Sequence, residues 1–291
     1  MALPAATHPR DLTDEQWNLI GRFLPEPVRR EDGRGRPWRE NRAVLNGVLW
    51  ILRTGAPWAD LPDRYPSYQT CHRRFQQWVR AGVLRSILEI LAQALHDQGY
   101  LDLQEAFIDG SFAPAKQGGA CVGKTKRGKG SKIMAIADRQ GLPVALYVES
   151  ATPHEVKLVH ATLAERFGSQ LPVRLIGDNA YESDRLDAEL ARRGVELIAP
   201  HRRTRTHRTQ DGRPLLRYQR RWKIERLFAW FQNFRRIVVR YERFAENFLG
   251  MLHLASCLIL LRGFSDGFYT SRMPPAHVSG PGVSGVACPQ R

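Results

Sequence analysis

Apolar positions along the chain change their period near residue 105. Before that point they recur every three or four residues, the spacing of one helical face. Trp17, Ile20, Phe23 and Leu24 form one such face behind a Thr13/Gln16 capping box, and Val44, Leu45, Val48, Leu49 and Leu52 form another. Pro25 and Pro27 stop the first helix, Gly55 and Pro57 the second. Ser67 is a candidate cap for a third helix, with Phe75, Trp78 and Val79 inside and Gln69, His72, Arg73 and Arg74 outside; a fourth runs from about Leu84 to His96. Beyond residue 105, short runs rich in Ile, Val and Ala and bounded by Gly, Pro, Asp and Asn predict strands. They fall at Ala106 to Asp109, Ile133 to Ala137, Pro143 to Glu149, Val173 to Asp178 and Val195 to Ala199, with the turn DRQGLP making a hairpin of the second and third. Helices are expected at 154–167, 183–193, 218–236 and 244–262.

Three consecutive strands, then alternating helix and strand, then helices, predict a mixed α/β sheet flanked by helices behind an all-helical region. The expected divisions are a helical domain at 1–100, an α/β domain at 101–264, and a tail at 265–291 that has little to bury and should be disordered. No repeat is evident at periods of 20 to 50 residues. Two short helices ahead of a basic, Gln-bearing helix resemble a helix-turn-helix reader, whose last helix enters a major groove through Gln69, His72, Arg73 and Arg74. The alternative is a plain helical bundle with solvated arginines.

With 291 residues, 43% of them hydrophobic and 25% charged, the chain is composed like a globular protein; collagen-like, coiled-coil and wholly disordered readings are excluded. Its charge is unusual: 44 Lys and Arg stand against 29 Asp and Glu, a net +15. Residues 201–291 alone hold 17 cations and 5 acids, whereas 101–200 are balanced at 13 each. A basic excess confined to one region points to a polyanionic partner, nucleic acid before a membrane surface. Thirty-seven of the cations are arginine, the side chain suited to forked phosphate contacts. The four cysteines are far apart, with no CxxC pair, so neither a thiolate zinc site nor a disulfide framework is expected. No secretory signal is visible at the N-terminus, and the longest apolar stretch, 248–261, is too short for a bilayer of roughly 20 residues. A cytoplasmic protein with a buried core helix and no membrane partner is expected.

Three acids carry the candidate chemistry. Asp109 ends the strand-like FID before Gly110, and Asp178 ends RLIGD before Asn179. Carboxylates at the carboxyl edge of an α/β sheet stand where ligands of such sheets bind. Glu225 is one of only three acids among the 17 charges between 202 and 243. On a helix it shares a polar stripe with Tyr218, Arg221 and Gln232, while Trp222, Phe228 and Phe231 can face the core. Hard divalent cations take carboxylate oxygens, and a pair of them can serve both the attacking and the leaving oxygen of a phosphodiester. Neighbouring arginines would bind the DNA backbone.

These residues resemble a family: the DDE transposases of bacterial insertion sequences, specifically the fifth insertion-sequence group, with a ribonuclease-H-like catalytic domain. Tyr218, Arg221 and Glu225 with the following RLFAWFQNFRRIVVRYER are similar to the family's Tyr-x2-Arg-x3-Glu-x6-Lys signature. FIDGSF and IGDNAYES resemble its first two acidic motifs, and LTDEQWNLIGRFLP with GRPWRENRAVLNGVLWILRTGAPWADLP its N-terminal domain. The resemblance covers roughly residues 10–262. It implies catalysis and metal binding by Asp109, Asp178 and Glu225, with Mg2+ as cofactor and Mn2+ as a substitute, cleavage at element ends, and transfer of the 3′-hydroxyl to target DNA. It further implies terminal inverted repeats and target DNA as double-stranded partners, nucleoid association, and a homodimer on paired ends. Tyr218, Arg221, Lys223, Arg226, Arg235 and Arg236 are the expected DNA contacts in this block. The signature's final lysine is Gln232 here, with Lys223 or Arg235 as possible substitutes, and the 47-residue step from Asp178 to Glu225 leaves no room for a large insertion domain.

Rival readings have weaker contexts. GGACVGKT at 118–125 matches a phosphate-binding loop in letters, but PAKQ before it and KRGKGSK after it supply neither the strand nor the helix required, so no nucleotide is expected. Lys124, Lys126, Arg127, Lys129 and Lys132 read instead as a flexible basic loop gripping DNA near Asp109. Among competing acids, Asp138 reads as a hairpin-turn residue and Asp184 as a first-turn helix acid, with Glu149 the remaining candidate. His154 reads as a helix cap, the histidines of HRRTRTHR at 201–208 as part of the phosphate patch, and Trp222 and Phe228 as core. The contrasting functions are an inactive or domesticated DNA-binding protein and a metal nuclease that cuts without strand transfer.

Overall fold

The computed structural model describes residues 9–26, 38–202 and 215–264. The sheet is built around the long strand β3 (Gly128–Asp138), whose run from Met134 to Ala137 is almost entirely removed from solvent. Such a run suits a strand covered on both faces. It pairs antiparallel with β1 (Ala106–Pro114), from Ala106 opposite Asp138 to Pro114 opposite Gly130. On its other side it pairs with β4 (Pro143–Ser150) and, at its start, with the short β2 (Gly123–Thr125). β5 (Arg174–Ile176) runs parallel to β1, and β6 (Glu196–Ile198) parallel to β5. The lateral order β4–β3–β1–β5–β6, three antiparallel strands followed by two parallel ones, is a ribonuclease-H-like sheet.

The strand limits differ from the expected ones for pairing reasons. β1 does not end at Asp109 but continues to Pro114, because β3 offers it a partner along its whole length. β5 is shorter than expected and stops at Ile176, leaving Gly177 and Asp178 beyond it. The expected flexible loop around Lys124–Lys129 is a hairpin, with Thr125 Oγ1 accepting the Arg127 N–H at 3.1 Å and donating to the Gly128 carbonyl at 2.9 Å. Its Lys124 and Thr125 lie on a strand, so the letters of the phosphate-loop motif have no loop-to-helix context here. At the turn DRQGLP, Asp138 accepts N–H groups from Asp102, Gln140 and Leu142 at 2.7–2.9 Å, and Gly141 adopts φ +86°.

On the helical side, α1 (Asp14–Ile20) starts in the expected capping box, with Thr13 and Gln16 exchanging bonds of 3.2 Å. α2 (Asn41–Thr54) ends at Gly55 in the left-handed region. α3 (Tyr68–Arg80) follows Ser67, whose hydroxyl bonds Thr70 Oγ1 at 3.0 Å and caps no backbone N–H. After α4 (Val83–Asp97), the helix expected at 154–167 is a 3-10 turn, Glu155–Leu158, followed by α5 (Val159–Ala164). α6 (Asp184–Ala191) is capped by Ser183. The expected helix 218–236 is three pieces: a 3-10 turn Leu216–Arg221, α7 (Trp222–Gln232) and α8 (Arg235–Val238).

The last helix, α9 (Ala245–Phe264), is long and apolar enough to cross a membrane, more so than the 248–261 stretch suggested, but 78% of its apolar window is buried inside the fold. It packs against α4, α3 and β4, and a Cβ at Gly250 would collide with Val79. A helix apolar on every side is a core helix when other elements cover it. One core therefore runs from Leu12 to Leu261.

Two buried basic side chains of this core have different fates. Arg240 is 1% exposed and donates to the carbonyls of Ala120, Cys121, Glu242 and Arg243 and to the Ser131 hydroxyl at 2.6–3.1 Å. Removing it would leave several buried acceptors unsatisfied. Arg240→Met should lower the unfolding free energy by at least about 1–3 kcal/mol in urea titration, the cost of leaving a buried acceptor unsatisfied, whereas Arg243→Met on the exposed neighbour should change it by less than about 0.5 kcal/mol; equal effects would remove Arg240 from the stabilising set. Among the described residues His253 Nε2 on α9 finds no hydrogen-bond partner, and burial, with Arg85 nearby, pushes its imidazole down to about 3. The unfolded chain therefore takes up a proton near 6.5 that the folded chain refuses, and stability falls as pH is lowered from about 6.5 towards 3. His253→Met should flatten that part of the stability profile; parallel profiles for the two proteins would contradict the assignment.

Candidate active site

The register of β1 and β5 brings the two strand acids to one edge of the sheet. The last paired residues are Phe107 and Ile176, and Asp109 and Asp178 each lie two residues beyond them. Asp109 Oδ1 accepts the Gly110 N–H, and Asp178 Oδ1 accepts the Ala180 N–H and caps the 3-10 turn Asn179–Tyr181, both at 2.8 Å.

The third acid arrives through an arginine turn. Glu105, buried just before β1, forms ion pairs with Arg217 and with Arg220, the latter at 3.0 Å. Side chains three apart eclipse one another in a 3-10 helix, so this turn presents both arginines to one carboxylate. The next residue, Arg221, places Nη1 2.9 Å from Asp109 Oδ2 and Nη2 3.0 Å from Glu225 Oε1, and its guanidinium lies 5.8 Å from the centre of the Tyr218 ring. Tyr218, Arg221 and Glu225 thus share the stripe their spacing predicts. Burial pushes the Asp109 carboxyl up to about 6 against the pull of Arg221 and the Gly110 N–H, and the charges of Glu155 and Asp178 push in the same direction as burial. The acids are therefore electrostatic neighbours. Among the described residues, however, no three His, Cys, Asp or Glu side chains stand close enough to hold one ion, and Arg221 bridges Asp109 and Glu225. The site is thus a salt-bridged set of carboxylates.

Several expected DNA contacts are committed to the fold. Arg74 is 5% exposed, donates to Asn41 Oδ1 at 2.6 Å and stacks 3.8 Å from the Trp38 ring centre, because position 74 lies on the inner side of α3. His72 stacks on Trp58 with ring centres 4.7 Å apart, and burial, with Arg236 nearby, lowers its pKa. Arg236 is 7% exposed, pairs with Glu242 at 2.7 Å and donates to the Ala56 carbonyl at 3.0 Å. Lys223 and Arg226 reach the carbonyls of Arg139 and Gln140 at the β3–β4 turn, with Arg226 4.8 Å from the ring centres of both Trp222 and Trp230. Lys132 points to Glu155 instead of joining the basic hairpin. Gln69, Arg73, Lys124, Lys126, Arg127, Lys129 and Arg235 remain exposed. Arg235 and Gln232 line a groove of about 810 Å³ with Arg10, Arg53 and Arg262, so arginines surround the position where the signature has lysine. Lys223 does not line this groove.

Other expectations shift in detail. Trp222 is 48% exposed, not core, while Phe228 packs partly against the core. His154 precedes its 3-10 turn without a side-chain cap. His201 pairs with Glu182 at 2.6 Å and the Arg202 N–H donates to the same carboxylate at 2.7 Å, while residues 203–208, like the 265–291 tail, lie outside the described residues. Sequence reasoning missed Glu105, Glu155 and Tyr181. Glu105 carried one available signal, a carboxylate directly before an apolar strand in a chain rich in unpaired arginine.

Residues 101–260 match the family model described as "Transposase DDE domain", and residues 12–88 the one described as "Putative transposase of IS4/5 family". Over 117 residues the chain is 39% identical to "Insertion element IS402 uncharacterized 16.2 kDa protein" of Burkholderia cepacia, a match covering 39% of this chain and 80% of that protein. It is 33% identical over 138 residues to "Putative transposase for insertion sequence element IS402" of the same organism, covering 45% of this chain and 62% of that one. Among solved structures, piggyBac transposase in a synaptic complex with hairpin DNA aligns over 87% of this chain and 73% of that chain, at 13% identity and a TM-score of 0.49. With the DDE model alone spanning more than half of its length, the chain belongs to the DDE transposase family, of the IS4/5 insertion-sequence kind.

Proposed function

We propose that this transposase cleaves DNA at the ends of its element and joins the freed 3′-hydroxyl to target DNA, with Asp109, Asp178 and Glu225 as the catalytic acids. The observation that carries the reading is the convergence of β1, β5 and α7, which brings Glu225 to Asp109 through one arginine, with Asp178 at the same sheet edge.

The donor set suits a hard divalent cation: all its atoms are carboxylate oxygens, and Asp109 is partly desolvated beside other acids. Asp109 and Asp178 would hold the ion or ions, Mg2+ or Mn2+, with Glu225 completing the set. When bound, the metal supplies charge neutralisation at the phosphodiester and activates the attacking oxygen. The protein's own groups do the rest. Arg221 positions Asp109 and Glu225 and offers its guanidinium to a phosphate entering between them. Tyr218 supports that guanidinium from the side. The exposed hairpin cations Lys124, Lys126, Arg127 and Lys129 bind DNA backbone, as do Arg235 in the groove and Gln69 and Arg73 on α3. Terminal inverted repeats and target DNA are the double-stranded partners, a homodimer on paired ends is the expected assembly, the helical part serves end recognition and the α/β part catalysis on one shared core, and the protein works at the nucleoid.

A plasmid-integration assay with purified protein and Mg2+ tests the triad. Asp109→Asn should reduce joining at least about 100-fold, the low end of the loss when a group acting on the transition state is removed, while DNA affinity in a gel-shift assay stays within about twofold. Normal joining by this variant would overturn the assignment. A second test concerns the hairpin: replacing Lys124, Lys126, Arg127 and Lys129 together with Ala should reduce the slope of log affinity against log salt by about 3 to 4, near 0.9 for each phosphate that is no longer neutralised. An unchanged slope would place DNA elsewhere.

A further inference from the structure

Glu155 is a fourth acid on this edge. Pro153 ends the approach from β4, and the 3-10 turn that follows puts Glu155 against β1. A Cβ on Gly110 would lie 2.8 Å from both Cδ and Oε1 of Glu155, and 3.0 Å from Met134 Sδ. The strand residue next to Asp109 must therefore be glycine for Glu155 to occupy this place.

Two further elements hold the carboxylate there. Glu155 Oε2 accepts the Tyr181 O–H at 3.3 Å, and Tyr181 is the fully buried last residue of the turn that Asp178 caps. Glu155 Oε1 lies 3.6 Å from Lys132 Nζ, which also donates to the Pro153 carbonyl at 2.7 Å. Glu155 is thereby tied to the Asp178 turn through Tyr181 and to the Asp109 strand through Gly110. A simple structural ion pair with Lys132 would need neither link.

Charge counting points the same way. Asp109, Asp178, Glu155 and Glu225 face two cations of this cluster, Arg221 and Lys132. With all four acids ionised, two negative charges are left over, the charge of one divalent cation. Gathering like charges in a half-buried site is unfavourable unless a cation offsets it.

We propose that Glu155 is a fourth carboxylate of the acidic site, adding its charge to that of Asp109 and Asp178 for divalent-cation binding, held in position by Tyr181 and with Lys132 competing for its charge. The inference rests on the reading of Asp109, Asp178 and Glu225 as a metal-dependent site.

Calorimetric titration of the full chain with Mn2+, alongside thermal melting without metal, tests it. Asp109→Asn should abolish or strongly weaken Mn2+ binding. Glu155→Gln keeps an oxygen for the Tyr181 O–H, so its melting temperature should stay within a few degrees of wild type while Mn2+ affinity falls about tenfold. Lys132→Met supplies a test in the opposite direction: with the competing cation gone and Glu155 retained, Mn2+ should bind at least about threefold more tightly. If Asp109→Asn loses Mn2+ but Glu155→Gln binds it like wild type, or Lys132→Met fails to tighten binding, the role of Glu155 is wrong and the site reading stands. If wild type binds no Mn2+, or Asp109→Asn binds it normally, the site reading fails and the inference with it.

Discussion

The docking of α7 on β1 depends on arginine–carboxylate pairing across more than a hundred residues of chain. Glu105 receives Arg217 and Arg220 at the foot of β1, and four residues further along the strand Asp109 receives Arg221. The strand and the arginine turn are thus fixed at two levels, which sets both the height and the rotation of the helix that follows. Breaking a buried pair by removing one partner typically costs about 3–5 kcal/mol, so Glu105 is a firm anchor. Because Glu225 is one helical turn after Arg221, the rotation that satisfies Asp109 also brings Glu225 to the same guanidinium.

This arrangement explains why a strongly basic block contains an acid. In the candidate site a carboxylate is partly desolvated by the sheet and surrounded by further acids, and one arginine offsets only part of that charge. Glycine at 110 and at 177 allows the crowding: a Cβ at Gly177 would lie 2.6 Å from the Tyr181 ring, and one at Gly110 would displace Glu155. The backbone gives up side chains beside each strand acid so that neighbours can close around it.

The strands and the acids were legible in the sequence because both signals are local. The apolar centres of β1 and β5 and the acids beside them are read directly from the sequence, although β1 runs past Asp109 and β5 stops short of Asp178, and the Tyr218–Arg221–Glu225 spacing needs only helical geometry. What the cations bind was not legible. Arg73 and Arg74 are adjacent and chemically identical, yet one is exposed and the other stacks on Trp38 and bonds Asn41. Arg236 reads as a DNA contact, but its partners, Glu242 and the Ala56 carbonyl, are set by tertiary packing, as is the hold of the 120–121 loop on Arg240. Glu155 was hidden for the same reason, since its position depends on Gly110, Lys132 and Tyr181 from three separate elements. The first break of the expected 218–236 helix, at Arg221, likewise accompanies the pairing of Glu105 with two arginines on one side of a tight turn.

The central claim is that α7, β1 and β5 form one carboxylate site able to take a divalent cation. Anomalous diffraction from crystals grown with Mn2+ addresses it most directly. The account predicts the strongest manganese peak in contact with the carboxylates of Asp109 and Asp178, with Glu225 turned towards the same pocket. Manganese found only elsewhere on the molecule, or Glu225 on the face of α7 opposite Asp109, would contradict it.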